Sequence, residues 1–163
     1  MRCCLGAQTF LVAEQVTEYC VDRDVVDPVE FSRACQAVID VVLPRVERAW
    51  IDAISDQKDL PVAARATQAA LVQVGRAQGC GDSGFGIELD IHQSDHVRLL
   101  RAFASWSIGV ELYDAAMRWV AYFSDTGSSV CCNVTEEEAA TIQAALGSLP
   151  IITVSDLNTR RKR

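Results

Sequence analysis

The residues with the clearest potential for chemistry lie in the middle of the chain. Gly79 to Gly84 matches the G-x-G-x-x-G pattern that binds the pyrophosphate of a dinucleotide, which requires a preceding strand. Here an alanine-rich helical segment precedes the glycines. Gly81-Asp82-Ser83-Gly84 also spells the nucleophile motif of chymotrypsin-like serine proteases, whose histidine base lies upstream. Both histidines of this chain lie downstream, so we expect a solvated glycine-rich loop without catalysis.

The two histidines are the next candidates. His92 and His96 are four residues apart, a spacing at which a helical pair can share one metal ion. Ser94 fits a helix N-cap between them, which would place His92 outside the helix. We therefore expect a polar surface cluster and no metal or cofactor. Since no nucleophile, base and orienting group fall at a recognisable spacing, the sequence favours a protein that is not an enzyme.

The cysteines bear on the cellular compartment. The chain has seven cysteines, but no two of them form a C-x-x-C pair. The sequence therefore does not support a zinc site. Cys20 and Cys35 lie in apolar periodic segments, where cysteine behaves as a small hydrophobic residue. The start of the chain has no clean apolar run with a cleavage site, and no run of about 18 uncharged apolar residues occurs. We expect free thiols, a cytoplasmic location and no membrane-spanning segment.

Composition favours one soluble globular domain. Half of the 163 residues are apolar, 23% are charged, and the formal net charge is −7. This balance excludes disordered and collagen-like chains and argues against nucleic-acid binding through a broad basic surface. We expect the domain to span residues 1–155 and residues 156–163 to form a basic tail without a transmembrane anchor.

The elements that would position these residues read as successive helices. Asp27 as N-cap before Pro28 begins a pattern over 28–54, which Pro44 should kink or divide. Pro61 opens a second helix over 61–77. Thr135 and Glu138 form a capping box. Further helical patterns cover residues 9–20 and 95–123, and only residues 151–154 alternate like a strand. We therefore predict an all-α fold, with 97–123 as a buried central helix.

A family resemblance appears in that central segment. Residues 95–112 resemble the first homology region of the Bcl-2 family of apoptosis regulators. Arg101, Ala104, Gly109 and Leu112 fall on its matching positions. The segment 98–100, Arg-Leu-Leu, stands where the family has Asn-Trp-Gly. The resemblance implies a Bcl-2-like helical bundle around a central apolar helix.

Segments nearer the start of the chain extend the resemblance. Residues 35–40 resemble the BH3 segment, with Asp40 on its aspartate, although Cys35 and Ile39 replace its leucine and glycine. Residues 45–52 resemble Arg-Tyr-Arg-Arg-Ala-Phe-Ser-Asp of pro-survival members, and residues 11–19 resemble the first helix. The Gly-Gly-Trp of the second homology region is absent. The pattern is similar to divergent, viral members of the family.

The resemblance implies a hydrophobic surface groove that binds BH3 helices of pro-apoptotic proteins. Arg101 would pair with the ligand's aspartate, and Arg98 would add a second positive charge. Within a bundle, Arg101 could instead form an internal ion pair, and Trp50 could be a core residue. The apolar groove residues would be Val46, Ala49, Trp50, Ala53, Leu71, Val74, Ala104 and Ile108.

The implied function is a pro-survival regulator of apoptosis, cytoplasmic or peripheral at mitochondria, as a monomer or a homodimer. It would bind BH3-containing proteins and no nucleic acid. One alternative keeps the Bcl-2 fold without BH3 binding and acts on innate immune signalling. The other is an unrelated helical-bundle assembly or coat protein that uses its arginine-rich tail on nucleic acid.

Overall fold

The computed structural model describes residues 15–22, 25, 27–124 and 129–161, which form an antiparallel sheet with helices. The strands are β1 (Thr17–Val21), β2 (Arg48–Ile51), β3 (Ile87–Asp90), β4 (Gly109–Tyr113), β5 (Trp119–Ser124), β6 (Ser129–Val134) and β7 (Ile151–Thr153). The helices are α1 (Pro28–Val42), α2 (Val62–Ala77), α3 (Ser94–Phe103), α4 (Glu136–Leu146) and α5 (Val154–Arg161). The strand order is β3-β2-β4-β5-β6-β1-β7.

The prediction of an all-α bundle is wrong, and residues 97–123 show why. Instead of one buried helix they form the end of α3, then β4 and β5. Val110 and Leu112 of β4 are buried, whereas Glu111 and Tyr113 alternate with them on the opposite face. This alternation has the period of a strand, but a segment this rich in apolar residues also fits a helical stripe.

Two other predicted helices contain strands. Pro44 was expected to kink or divide the segment 28–54, and it divides it. The segment forms α1, a 3-10 turn at Leu43–Arg45, and then β2. The segment 9–20 contains the start of β1 at Thr17, and residues 15 and 16 before it are not helical, so a helix there is wrong for residues 15–20. Residues 9–14 lie outside the described part of the chain. The strand expected over 151–154 is confirmed for residues 151–153 as β7, and Val154 begins α5.

The helix-boundary predictions are confirmed where a side chain caps the helix. The carboxylate of Asp27 accepts hydrogen bonds from the N–H groups of Val29 and Glu30 at the start of α1. Thr135 and Glu138 form the expected capping box of α4. The predicted helix over 61–77 is α2, which begins one residue after Pro61.

The core lies between one face of the sheet and helices α1 to α4. Helices α2 and α3 pack near β3, and α1 and α4 pack together, with α1 over β5 and β6. At Gly75 of α2, an added Cβ would lie 3.0 Å from the Ile87 side chain, so a larger residue there would require Ile87 to shift. The largest fully buried side chains include Phe31, Ile39, Leu71, Leu100, Phe103, Phe123 and Ile142.

Of the described cysteines, Cys20 and Cys131 are bonded, and Cys35, Cys80 and Cys132 are free thiols. Cys20 of β1 and Cys131 of β6 form a disulfide, so the expectation of a free thiol at Cys20 is wrong. Cys35 is a buried thiol, as expected for a small hydrophobic residue, and burial raises its pKa. Burial also raises the pKa of Cys132 to about 12. Both thiols therefore stay protonated at neutral pH and are poor nucleophiles.

The C-terminal part of the described chain is helical. Residues 154–161, which include most of the expected basic tail, form α5, and Arg160 pairs with Asp22 beyond β1. Lys162 and Arg163 lie outside the described residues. Of the helices that the structure describes, none has the length and apolar character needed to cross a membrane.

Candidate functional site

The residues predicted to line a groove lie in different parts of the fold. Trp50 lies on the sheet face opposite Ala49, its neighbour in β2. Val74 packs partly buried against the core from α2, and Ile108 lies half-buried before β4. Arg98 is exposed on α3 and pairs with Asp95. The others are buried in the core: Val46, Ala49, Ala53, Leu71 and Ala104.

Arg101 has a partner within the chain. Its guanidinium donates to Oε1 of Gln36 at 3.3 Å and to the carboxylate of Asp40, both on α1. The side chain of Gln36 donates in return to the Arg101 carbonyl oxygen at 2.7 Å. This network joins α3 to α1 and is the internal ion pair that the sequence left as an alternative. Asp40, the residue matched to the BH3 aspartate, is its acidic member.

The histidines belong to a polar cluster at the end of β3. Nδ1 of His96 accepts a hydrogen bond from the Asp90 N–H at 2.9 Å, and Nε2 of His92 lies 3.1 Å from Oε2 of Glu47. Hydrogen bonds from the Gln93 side chain and then the His92 N–H lower the pKa of Asp90. Within the described ranges, no group of three His, Cys, Asp or Glu side chains could hold a metal ion. Ser94 is the first residue of α3 rather than its cap.

The glycine-rich segment is a loop between α2 and β3, as expected. The Gly86 N–H donates to Oδ1 of Asp52, and the Ala53 N–H donates to the Gly84 carbonyl oxygen. Gly84 has a φ of +70°, and an added Cβ would lie 3.3 Å from the Ala53 oxygen. The Ser83 hydroxyl donates to the Cys80 carbonyl oxygen within the same loop. These contacts dock the loop on the end of β2.

The sheet face opposite α1 to α4 carries a row of side chains that the strand register places side by side, and we call it the open face. In strand order from β3 to β7, the row consists of Glu88, Trp50, Glu111, Tyr122, Cys131, Cys20 and Ile152. A second row beside it includes Asp90, Arg48, Tyr113 and Trp119. The Cys20–Cys131 disulfide thus lies in line with Tyr122 and Glu111, but both cysteines are buried. Helix α5 contacts β1 and β7 at this end of the sheet, so the accessible part of the open face is formed by β2 to β5.

Four aromatic rings dominate this face. The Trp50 and Tyr113 rings meet edge to face with centroids 5.0 Å apart, and Trp119 and Tyr122 meet in the same way at 5.6 Å. All four side chains are half-buried, and none belongs to the core cluster of the described chain. Tryptophan and tyrosine combine a large apolar area with a polar atom. They therefore suit an interface in which one end of the side chain is buried and the other contacts water.

Glu111 lies in the centre of these rings. The Tyr113 hydroxyl donates to Oε2 of Glu111 at 2.8 Å, and this hydrogen bond is the main cause of the raised pKa of Tyr113. No arginine, lysine or histidine of the described chain forms an ion pair with Glu111. By contrast, Glu88 on the same face pairs with Arg48 at 3.4 Å. Glu111 is therefore an exposed carboxylate bordered by aromatic surface.

The outer edge of β3 is closed by side chains and a turn, and one outer N–H of the other edge strand, β7, also has a partner. On β3, the Gln78 side-chain amide donates to the Glu88 carbonyl oxygen and accepts from the Glu88 N–H. The Asp90 N–H donates to His96, and the Asp90 carbonyl oxygen accepts from the Gln93 N–H. On β7, the Ile151 N–H donates to the Gln143 side chain. Because these backbone groups have partners, strand addition is disfavoured.

A cleft of about 470 Å³ lies at one end of the sheet, beside the β4–β5 turn. Its charged lining is already paired: Arg45 contacts Glu138 at 3.2 Å, and Arg118 contacts Asp114 at 2.7 Å. Hydrogen bonds from Arg118, of which the backbone N–H is the largest influence, lower the pKa of Asp114. These ion pairs stabilise the β4–β5 turn and the start of α4. We therefore assign them a structural role and identify no reactive group among them.

The aromatic cluster contains residues that the sequence analysis did not identify as a site. The segment 97–123, which the sequence predicts to be a central helix, contains Glu111, Tyr113, Trp119 and Tyr122. The signal that could have identified them is the alternation of exposed and buried residues over 109–113. Comparison of the chain with protein-family models, with curated proteins and with solved structures found no match. Function therefore has to be inferred from the face itself.

Proposed function

We propose that the protein is a non-enzymatic binding module that takes a basic polypeptide segment on its open face. The observation that carries this proposal is the group of four half-buried aromatic rings around Glu111, on the sheet face that α1 to α4 leave uncovered. Aromatic residues are enriched where proteins bind proteins, because they bury much apolar area at a low cost in conformational entropy.

Charge supports a basic partner. By register, the open face of the described strands carries the carboxylates of Glu18, Glu88, Asp90 and Glu111 against the single guanidinium of Arg48. The whole chain has a formal net charge of −7. A partner with arginine or lysine side chains would be attracted over a distance of about a Debye length and would leave fewer unpaired charges on binding.

Two other modes of binding are disfavoured, which are strand addition at the edge of β3 and binding of charged groups in the cleft. Strand addition would require the backbone groups of Glu88 and Asp90, which already have partners. In the cleft, Arg45 pairs with Glu138, Arg118 pairs with Asp114, and Glu47 contacts His92. A side-chain-mediated contact with the open face is the mode that remains.

The proposal agrees with the sequence-based hypothesis in two general respects. In both, the protein binds other proteins and is not an enzyme. The helix-accepting groove was expected from a helical bundle, and the proposed binding surface is instead the open face of a sheet. The resemblance of residues 95–112 to the Bcl-2 family stays a prediction of the sequence. Its apoptotic function is not part of the proposal.

Binding of two synthetic peptides of equal length tests the proposal. One alternates arginine with valine, and the other carries glutamate at every arginine position. Fluorescence anisotropy should detect binding of the arginine peptide alone. The double substitution Trp119→Ala with Tyr122→Ala should weaken that binding by about tenfold or more, since truncating buried interface aromatics costs roughly 1–2 kcal/mol or more.

The matched control is Phe85→Ala, which removes an aromatic ring that is 56% exposed in the glycine-rich loop. This substitution should leave the affinity unchanged. Equal binding of the glutamate peptide would contradict the proposed charge preference. Binding that survives the double substitution in a folded protein would place the site elsewhere.

A further inference from the structure

Within the proposed binding face, and resting on that proposed function, we propose that Glu111, Trp50 and Tyr122 form the site for an arginine side chain of the partner. In the register of the sheet, Glu111 lies directly opposite Trp50 of β2 on one side and Tyr122 of β5 on the other. Directly opposed residues in antiparallel strands have Cβ atoms about 4.5–5.5 Å apart. The carboxylate therefore lies between two aromatic side chains.

Tyr113 holds this arrangement in place. It follows Glu111 by two residues on the same face of β4, and its hydroxyl donates to Oε2 of Glu111. Its ring in turn meets Trp50 at an interplanar angle of 83°. The hydrogen bond and the ring contact restrict the carboxylate, so less conformational entropy is lost when a ligand binds.

The second carboxylate oxygen is available to a ligand. Oε1 of Glu111 receives no hydrogen bond from the residues that the structure describes, and the side chain is exposed. The other acidic residues at this end of the face differ. Glu88 contacts Arg48, and Asp90 accepts a hydrogen bond from the Gln93 side chain. Glu111 is thus the carboxylate here that combines exposure, aromatic neighbours and an available oxygen.

The chemistry of this site fits a guanidinium. A planar guanidinium can donate to a carboxylate through one edge while its face lies against an aromatic ring. Cation–π contact with tryptophan or tyrosine adds to the attraction, and arginine makes such contacts more often than lysine does. A neutral polar side chain of the same shape would keep the stacking but lose the charge-assisted hydrogen bond.

Citrulline provides that neutral counterpart. The arginine peptide described above is compared with the same peptide carrying citrulline in place of arginine, by titration against the native protein and against Glu111→Gln. Glutamine retains an oxygen that can accept the Tyr113 hydroxyl, so the substitution removes mainly the charge. The native protein should prefer the arginine peptide, and Glu111→Gln should reduce that preference by about fivefold or more.

The control variant is Glu137→Gln, which removes one exposed carboxylate from the first turn of α4. It should reduce the preference by less than about twofold, the change expected from lowering the net charge alone. Equal preference in the native protein and Glu111→Gln would overturn the arginine site while peptide binding to the open face persists. Failure of both peptides to bind the native protein would overturn the proposed function and the arginine site together.

Discussion

At the scale of single residues, the hydrogen bond between Tyr113 and Glu111 can be tested without a partner. The Tyr113 hydroxyl donates to a carboxylate, and deprotonating it would place two negative charges side by side. This hydrogen bond, followed by burial, raises the pKa of Tyr113 above its ordinary value. A tyrosine with a raised pKa in the folded state gains stability below the ordinary pKa, and that stability is lost as the pH rises through the raised value.

We predict that Glu111→Gln lowers the pKa of Tyr113 toward the ordinary value for tyrosine, because glutamine carries no charge to oppose the tyrosinate. The absorbance of tyrosinate is followed against pH, and Tyr113→Phe identifies the contribution of Tyr113. Glu137→Gln should leave this titration unchanged. An unchanged titration in Glu111→Gln would mean that the hydrogen bond does not persist in solution.

Single residues also show where sequence reasoning reaches its limit. The spacing of Arg101 and Asp40 along the chain cannot reveal that α3 and α1 lie side by side, so their ion pair appears only in the fold. Trp50 was assigned to a groove with Ala49, yet adjacent residues of a strand point to opposite faces. Without knowing that residues 48–51 form a strand, one cannot predict that Trp50 and Ala49 lie on opposite faces of the sheet.

At the scale of secondary-structure elements, the helices were easier to predict than the strands. The start of α1 at Asp27 and the capping box of Thr135 and Glu138 are local signals that can be recognised within four residues. The strands β2 and β3 contain only four residues each. Such segments hold too few positions to distinguish a period of 2 from a period of 3.6, so pairing with distant strands decides their conformation.

The edge of β3 provides a test at this scale. Gln78 satisfies both the N–H and the carbonyl oxygen of Glu88 from the end of α2. We predict that Gln78→Ala speeds hydrogen exchange at the Glu88 amide by about fivefold or more, because one net hydrogen bond contributes about 1 kcal/mol. The substitution should also increase self-association, since an unpaired strand edge can pair with another chain.

The control for this test is Gln73→Ala, which changes an exposed glutamine on the same helix. Exchange at Glu88 should be the same in this variant as in the native protein. Equal exchange rates in Gln78→Ala would show that the side-chain amide does not protect the edge of β3.

At the scale of the whole molecule, the Cys20–Cys131 disulfide joins the start of the described chain to β6 across 111 residues. A disulfide that closes so long a loop restricts the unfolded chain and typically contributes about 2–4 kcal/mol. We predict that Cys131→Ser lowers the free energy of unfolding by about this amount in urea denaturation under oxidising conditions. Cys80→Ser, which removes a half-buried free thiol, should have an effect of about 0.5 kcal/mol or less. Equal stability of native protein and Cys131→Ser would contradict the disulfide's contribution.

Long-range pairing also explains why the binding face could not be predicted. Trp50, Glu111 and Tyr122 come from three strands separated by up to 72 positions in sequence, since Trp50 and Tyr122 are residues 50 and 122. Their juxtaposition depends on the register of β2, β4 and β5, and a slip of one residue in any of these strands would turn its own side chain toward the core. The formal net charge of −7 can be read from composition alone, and this charge underlies the proposed preference for a basic partner.

The most direct test of the central claim is a map of backbone and indole amide shifts during titration with the arginine peptide. If the open face binds the peptide, the largest changes should fall on β2, β4 and β5 and on the indole N–H groups of Trp50 and Trp119. The helices α1 and α4 should change little. Shifts concentrated on those helices would place binding away from the open face, and no saturable shifts anywhere would mean that the protein does not bind the basic peptide.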